Sequence, residues 1–168
     1  MERYTYEPLP PLLPPAKGRT PPYTRLVRIF PGHLDDPLRC RLFLVNIEQP
    51  PSYEALSYVW GPPSGTIDPH VLCDGHPISI TPNLDKAMRW LRYVDKERLF
   101  WIDAICIDQE NLEERGRQVG YMRCTSCQLP SKCRSSATRD YFSIFVADFH
   151  SDLQLCLSVY RLARTQDI

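Results

Sequence analysis

A chain of 168 residues with 43% hydrophobic and 24% charged residues is one domain's worth of sequence, with enough apolar surface for a single core. Its 20 basic and 20 acidic residues cancel to a formal charge of +0, which gives no attractive field for a phosphate backbone or an anionic bilayer and excludes nucleic acid as the expected partner. No run approaches the ~20 apolar residues of a membrane span, and the opening MERYTYEPLP lacks the basic-then-apolar pattern of a secretory signal, so a cytoplasmic protein is expected.

Residues 1–22, with PLPPLLPPAKGRTPPY at their heart, are too rich in proline for helix or sheet and predict a disordered, polyproline-II-like leader. Pro11-Leu12-Leu13-Pro14 fits P-x-x-P, a pattern that also arises by chance.

Residues 23–122 read as the folded part. YTRLVRIF (23–30) sets Leu26 and Arg28 on one face and Val27 and Ile29 on the other, and PGHLDDP turns the chain into a second strand, LRCRLFLVNI (38–47). YEALSYVWG (53–61) is a short aromatic element closed by Gly61-Pro62-Pro63. HVLCDGHPISIT (70–81) predicts a β-hairpin turning at Asp74-Gly75. Thr81 and Pro82 then open an amphipathic helix with Leu84, Ala87, Met88 and Leu91 on its apolar face. RLFWIDAICI (98–107) has the length and near-continuous apolarity of a central strand covered on both faces. Asn111 and Glu114 form an Asn variant of the capping box, and Leu112, Val119 and Met122 give the next helix a narrow apolar stripe. Strand, helix, strand, helix implies an α/β layered fold with a mainly parallel central sheet plus the hairpin. Residues 123–168 differ in kind: polar, turn-rich sequence followed by one candidate strand (YFSIFVADF) and one candidate helix (LQLCLSVYRLA), read as a poorly ordered tail.

The polar residues on and after the 98–107 strand are the candidates for chemistry. Asp103 shares a strand face with Trp101 and Ile105, and a withdrawn carboxylate needs partners: backbone amides, a hydroxyl or a cation such as Arg115. Asp103 is equally readable as a loop-fixing group and as a catalytic one. Asp108 and Gln109 lie at the strand's carboxyl end, where open α/β sheets place their ligand crevices. Glu114 and Gln118, at i and i+4, share a helix face that could point into that crevice, whereas Glu113 reads as a dipole-facing or solvated residue. Tyr58 and Trp60 read first as core aromatics with a polar handle. Of the seven cysteines, Cys40, Cys73 and Cys106 sit in strand-like apolar sequence and read as free thiols. Cys124, Cys127 and Cys133 lack the second paired cluster of a zinc site, so no metal is assigned.

Taken in order, YEALSYVWG, ISITPNLDKAMRWLR and LFWIDAICIDQENLEERGRQVGYM resemble the fungal heterokaryon-incompatibility (HET) domain, and YEPL with RLVRIFPG resembles the lead-in of that family. The resemblance implies a cytoplasmic domain that triggers cell death when genetically unlike hyphae fuse, acting through other proteins, self-association included. It also implies a distant likeness to Toll/interleukin-receptor (TIR) domains, some of which cleave NAD. In that reading NAD is the candidate substrate, Glu114 stabilises charge at the ribose, Asp103 positions it, and Tyr58 or Trp60 stacks. Asp108, Gln109, Arg115 and Gln118 complete the implied binding cluster. After QVGYM the chain departs from the family pattern, so an altered or truncated, inactive C-terminal half is a third expectation.

Overall fold

The computed structural model describes residues 2–11, 22–58, 69–126, 139–142, 145–146 and 155–162. In chain order its elements are β1 (Tyr23–Ile29), β2 (Arg39–Asn46), β3 (Tyr53–Tyr58), β4 (His70–Cys73), β5 (His76–Ser79), α1 (Pro82–Leu91), β6 (Arg98–Ile102), α2 (Asp103–Cys106), α3 (Leu112–Ser126), β7 (Arg139–Phe142), β8 (Phe145–Val146) and β9 (Leu155–Leu162). The strands form one sheet in the order β5-β4-β2-β1-β6-β3, continued by β9 and β7, with β8 pairing on β9.

Among these pairs only β2 with β4 and β3 with β6 are parallel. β1 runs antiparallel to both β2 and β6, and β4 with β5, β3 with β9, and β7 and β8 with β9 are antiparallel as well. The expectation of a mainly parallel sheet is therefore corrected to a mixed sheet dominated by antiparallel pairs, and the TIR-like arrangement loses its support. The misreading has a physical origin. A strand covered on both faces is apolar throughout whichever way its neighbours run, so β6 announced its central position but not its direction.

Local signals account for the well-formed pieces. The hairpin β4–β5 turns through Asp74 (φ 49°) and Gly75 (φ 88°), the type I′ geometry that favours Asp-Gly. The Thr81 side chain accepts the Leu84 N–H at 3.2 Å, and Pro82 needs no partner at the first helical position, so α1 starts where the sequence predicts. Its buried Leu84, Ala87, Met88 and Leu91 meet Val27, Ile29, Cys40, Val71, Cys73, Phe100 and Ile102 in the core. At the far end of α1, Arg92 is itself buried and ties down the loop before β2, donating to the carbonyls of Pro37 at 3.0 Å and Asp36 at 3.1 Å and to that of His33.

Two further expectations change. β6 ends at Ile102, and Asp103–Cys106 forms a one-turn helix in place of the strand's second half. Asp103 is poorly suited to a strand interior but well suited to a helix's first turn; its Oδ1 accepts the Ala104 N–H at 2.7 Å, and its carbonyl closes the turn onto Ile107 at 3.2 Å. LCLSVYRL is strand β9 rather than a helix, since Leu155, Leu157 and Val159 alternate at the strand period, with Leu155 paired to β8 and Leu157 and Val159 to β3.

Residues 2–11 do not behave as a detached leader. The Tyr4 N–H donates to Pro77 O at 3.2 Å beside β5, Leu9 is buried, and Tyr4 and Tyr6 pack edge to face against the core. This arm is also fixed at its start by an exposed Arg3–Glu110 pair at 2.6 Å. Residues 12–14 of the P-x-x-P pattern lie outside the described residues.

Candidate functional site

Alternation along β1 puts Arg25 on the same face as Val27 and Ile29, the face that α1 covers. A guanidinium in that phase cannot reach water and has to find an anion inside the protein. It finds Glu114, in the first turn of α3: Arg25 Nη1 donates to Oε1 at 2.5 Å and Nη2 to Oε2 at 3.0 Å, with both side chains about 2% exposed. Two parallel N–H···O bonds make this a bidentate pair, the strongest geometry open to a carboxylate and an arginine.

The rest of the network adds partners to those two charges, with Arg25 Nε alone left buried and unpartnered within the cluster. Arg25 also donates to Cys106 O at 3.2 Å and to Glu7 O of the N-terminal arm, and its guanidinium carbon lies 5.1 Å from the centre of the Tyr6 ring. Glu114 Oε1 accepts the Asp108 N–H at 2.8 Å, and the Glu114 N–H is capped by Asn111 Oδ1 at 3.0 Å. The predicted capping box is thus half formed: Asn111 caps, but the Glu114 side chain turns to Arg25 rather than back to Asn111. Gln118, one turn further on and 2% exposed, donates to Tyr23 O at 2.8 Å. The Tyr6 hydroxyl donates to Ile105 O at 3.1 Å, and burial pushes its phenol well above the usual range, keeping it a donor. The β1 strand, the α2 turn, the first two turns of α3 and the arm are joined at one point.

The other predicted residues lie around this point with different tasks. Asp108 Oδ1 accepts the Glu110 N–H at 3.1 Å, and Gln109 Nε2 donates to Asp103 O at 2.9 Å, so both fix the loop between α2 and α3. Trp101 is half-buried on the opposite sheet face and donates to Thr24 Oγ1 at 3.0 Å. Arg115 is exposed, as is Glu113; the cation that answers the cluster is Arg25, which the sequence reading did not single out. The signal was available, because Arg25 is in phase with Val27 and Ile29. Trp60 lies outside the described residues, and Tyr58 is described only as the last residue of β3.

α3 itself packs in an unexpected sense. Its apolar Leu112 and Val119 face outward, 69% and 45% exposed, while Glu114 and Gln118 are buried. Among its described side chains, the helix is docked by paired polar groups and not by an apolar stripe. Such docking gives little net stability beyond a well-packed apolar contact, but it tolerates only one register, because any shift leaves a buried charge alone.

Chemically, this cluster is closed. Both Glu114 oxygens are engaged, and its environment offers a lock between elements. Among the described residues no group of three or more His, Cys, Asp or Glu side chains could hold a metal ion, and no helix is long and apolar enough to cross a membrane.

Comparison with known proteins locates the same segment. The family model "Heterokaryon incompatibility protein (HET)" matches residues 53–125, which include β3, α1, β6, α2 and most of α3. Heterokaryon incompatibility protein 6, OR allele, of Neurospora crassa is 38% identical over 113 residues, covering 60% of this chain and 17% of that protein. The chain therefore corresponds to a small part of this relative's length. No solved structure matches the chain. The segment 53–125, which supplies Glu114 and Gln118 to the lock, carries the motifs of the heterokaryon-incompatibility (HET) domain family.

Proposed function

We propose that this chain acts in a heterokaryon-incompatibility response, triggering cell death on non-self recognition by associating with other proteins, further copies of itself included. One observation carries the reading. The carboxylates and amides of the matched segment, Asp103, Asp108, Gln109, Glu114 and Gln118, bond to backbone or to Arg25 within the chain, an arrangement suited to holding a surface in one shape. Burial of the Arg25–Glu114 pair supports a role for Glu114 in positioning α3 rather than in meeting a ligand.

The test is inducible expression of the full chain in a filamentous fungus, scored by uptake of a vital dye and by sedimentation of the purified protein. Dye uptake accompanied by concentration-dependent association is the expected outcome, with both lost in Arg25→Met. A monomer that accumulates folded and leaves hyphae viable would overturn the reading.

A further inference from the structure

Cys40 on β2 and Cys73 on β4 are direct partners in the parallel register, so their side chains leave the sheet on the same face. Neighbouring strands lie ~4.8 Å apart, inside the window of about 4.4–6.8 Å between Cα atoms that a disulfide spans. Both are free thiols at 0–1% exposure, close enough for each to shift the ionisation of the other, in opposite directions. A third group completes the arrangement: Tyr4, from the N-terminal arm, is tied by its N–H to Pro77 O on β5, packs against the core cluster that holds both cysteines, and has its hydroxyl within the electrostatic reach of Cys73. We propose that Cys40 and Cys73 form a reversible disulfide site, oxidised by a small peroxide and sheltered by Tyr4 of the arm.

The chemistry balances as a two-electron oxidation. The Cys73 thiolate attacks one oxygen of hydrogen peroxide, breaking the O–O bond, to give a sulfenic acid and, after protonation, water. The Cys40 sulfur then displaces the hydroxyl from Cys73 sulfur, its own proton leaving in the second water. Cys73 is suited to the first step, because its interaction with Cys40 lowers its pKa despite burial, while Cys40 is raised and retains its proton. A bond between adjacent strands is strained and therefore readily reduced, the property of a regulatory rather than a structural disulfide. Cys106 provides the internal contrast: its sulfur accepts the Ile102 N–H at 3.4 Å, and burial, the leading influence on it, pushes its thiol up to about 12.

The full chain is exposed to graded hydrogen peroxide without denaturant, alkylated under denaturing conditions, and its disulfides are mapped by mass spectrometry. A Cys40–Cys73 link that forms before any product at Cys106, and that dithiothreitol reverses, is the expected result. Tyr4→Phe is expected to form it about fivefold faster, the gain in open population when the hydroxyl's polar contact with Cys73 is lost. In Cys40→Ser, oxidation is expected to stop at a sulfenic acid on Cys73 that dimedone traps. Cys40 and Cys73 both still reduced once Cys106 is oxidised would overturn the site, and an unchanged rate in Tyr4→Phe would overturn the shelter.

Discussion

Replacing Arg25 by Met removes one side chain but strands another. Glu114 would keep the Asp108 N–H at 2.8 Å and lose both guanidinium bonds while remaining about 1% exposed. An uncompensated buried charge of this kind costs about 3–5 kcal/mol, and loss of the contact over Tyr6 adds ~0.5–1 kcal/mol. Against a typical stability of about 5–15 kcal/mol, the variant is expected to melt roughly 7–24 °C lower, at about 2–4 °C per kcal/mol for a domain of this length. The double variant Arg25→Met/Glu114→Leu shares with Arg25→Met the losses at Tyr6 and at the Cys106 and Glu7 carbonyls, but exchanges the stranded carboxylate for an unpartnered Asp108 N–H that costs only about 1–3 kcal/mol. The double variant should therefore be more stable than Arg25→Met alone, a reversal that simple loss of contacts cannot produce. Urea denaturation at pH 7 measures all three proteins. A loss below about 1 kcal/mol in Arg25→Met, or a double variant as unstable as the sum of its singles, would refute the reasoning.

Thr81→Ala removes the side-chain acceptor for the Leu84 N–H and should cost about 1 kcal/mol by urea denaturation, with no change if α1 draws nothing from its cap. Gly75→Ala meets no atom within 4 Å, so its cost should be purely conformational; at φ +88° that is about 1–2 kcal/mol, measurable in the same assay. Alkali should destabilise the fold in a definite window. The folded-state pKa of Cys106 is pushed up to about 12 from 9.0 and that of Tyr53 to about 12 from 10.0, in both cases chiefly by burial. These groups hold their protons more tightly folded than unfolded, so stability is full below pH 9 and falls as pH rises from 9 towards 12. The slope approaches about 1.4 kcal/mol per pH unit for each fully buried group, and Cys106→Ala should flatten its first part. Melts that stay level up to pH 11 would contradict this assignment.

Local chemistry was legible in the sequence to the extent that neighbours along the chain decide it. Thr81-Pro82 and Asp74-Gly75 act through adjacent backbone, and α1 and the hairpin stand where they were expected. Direction of pairing was not legible, since Phe100 and Ile102 are equally apolar between parallel and antiparallel neighbours. The end of β6 at Ile102 was obscured because Ala104, Ile105 and Cys106 continue an apolar run that serves a helical turn as well as a strand. In the candidate site, Glu114 and Gln118 were found by their shared helix face. Their burial was not, because it depends on Arg25 and Tyr23, 89 and 95 residues away, and no local pattern encodes such a partner. The arm was misjudged for a related reason: proline density forbids helix and sheet, yet an extended segment can still dock through Tyr4, Tyr6 and Leu9.

Hydrogen exchange on the full chain and on Arg25→Met, read segment by segment, tests the central claim that one buried ion pair fastens α3 and the N-terminal arm to the sheet. Faster exchange in the variant across residues 2–11 and 112–121 together, with β4, β5 and α1 still protected, is the predicted result. An arm and an α3 that keep wild-type protection without Arg25, or that loosen independently of one another, would contradict it.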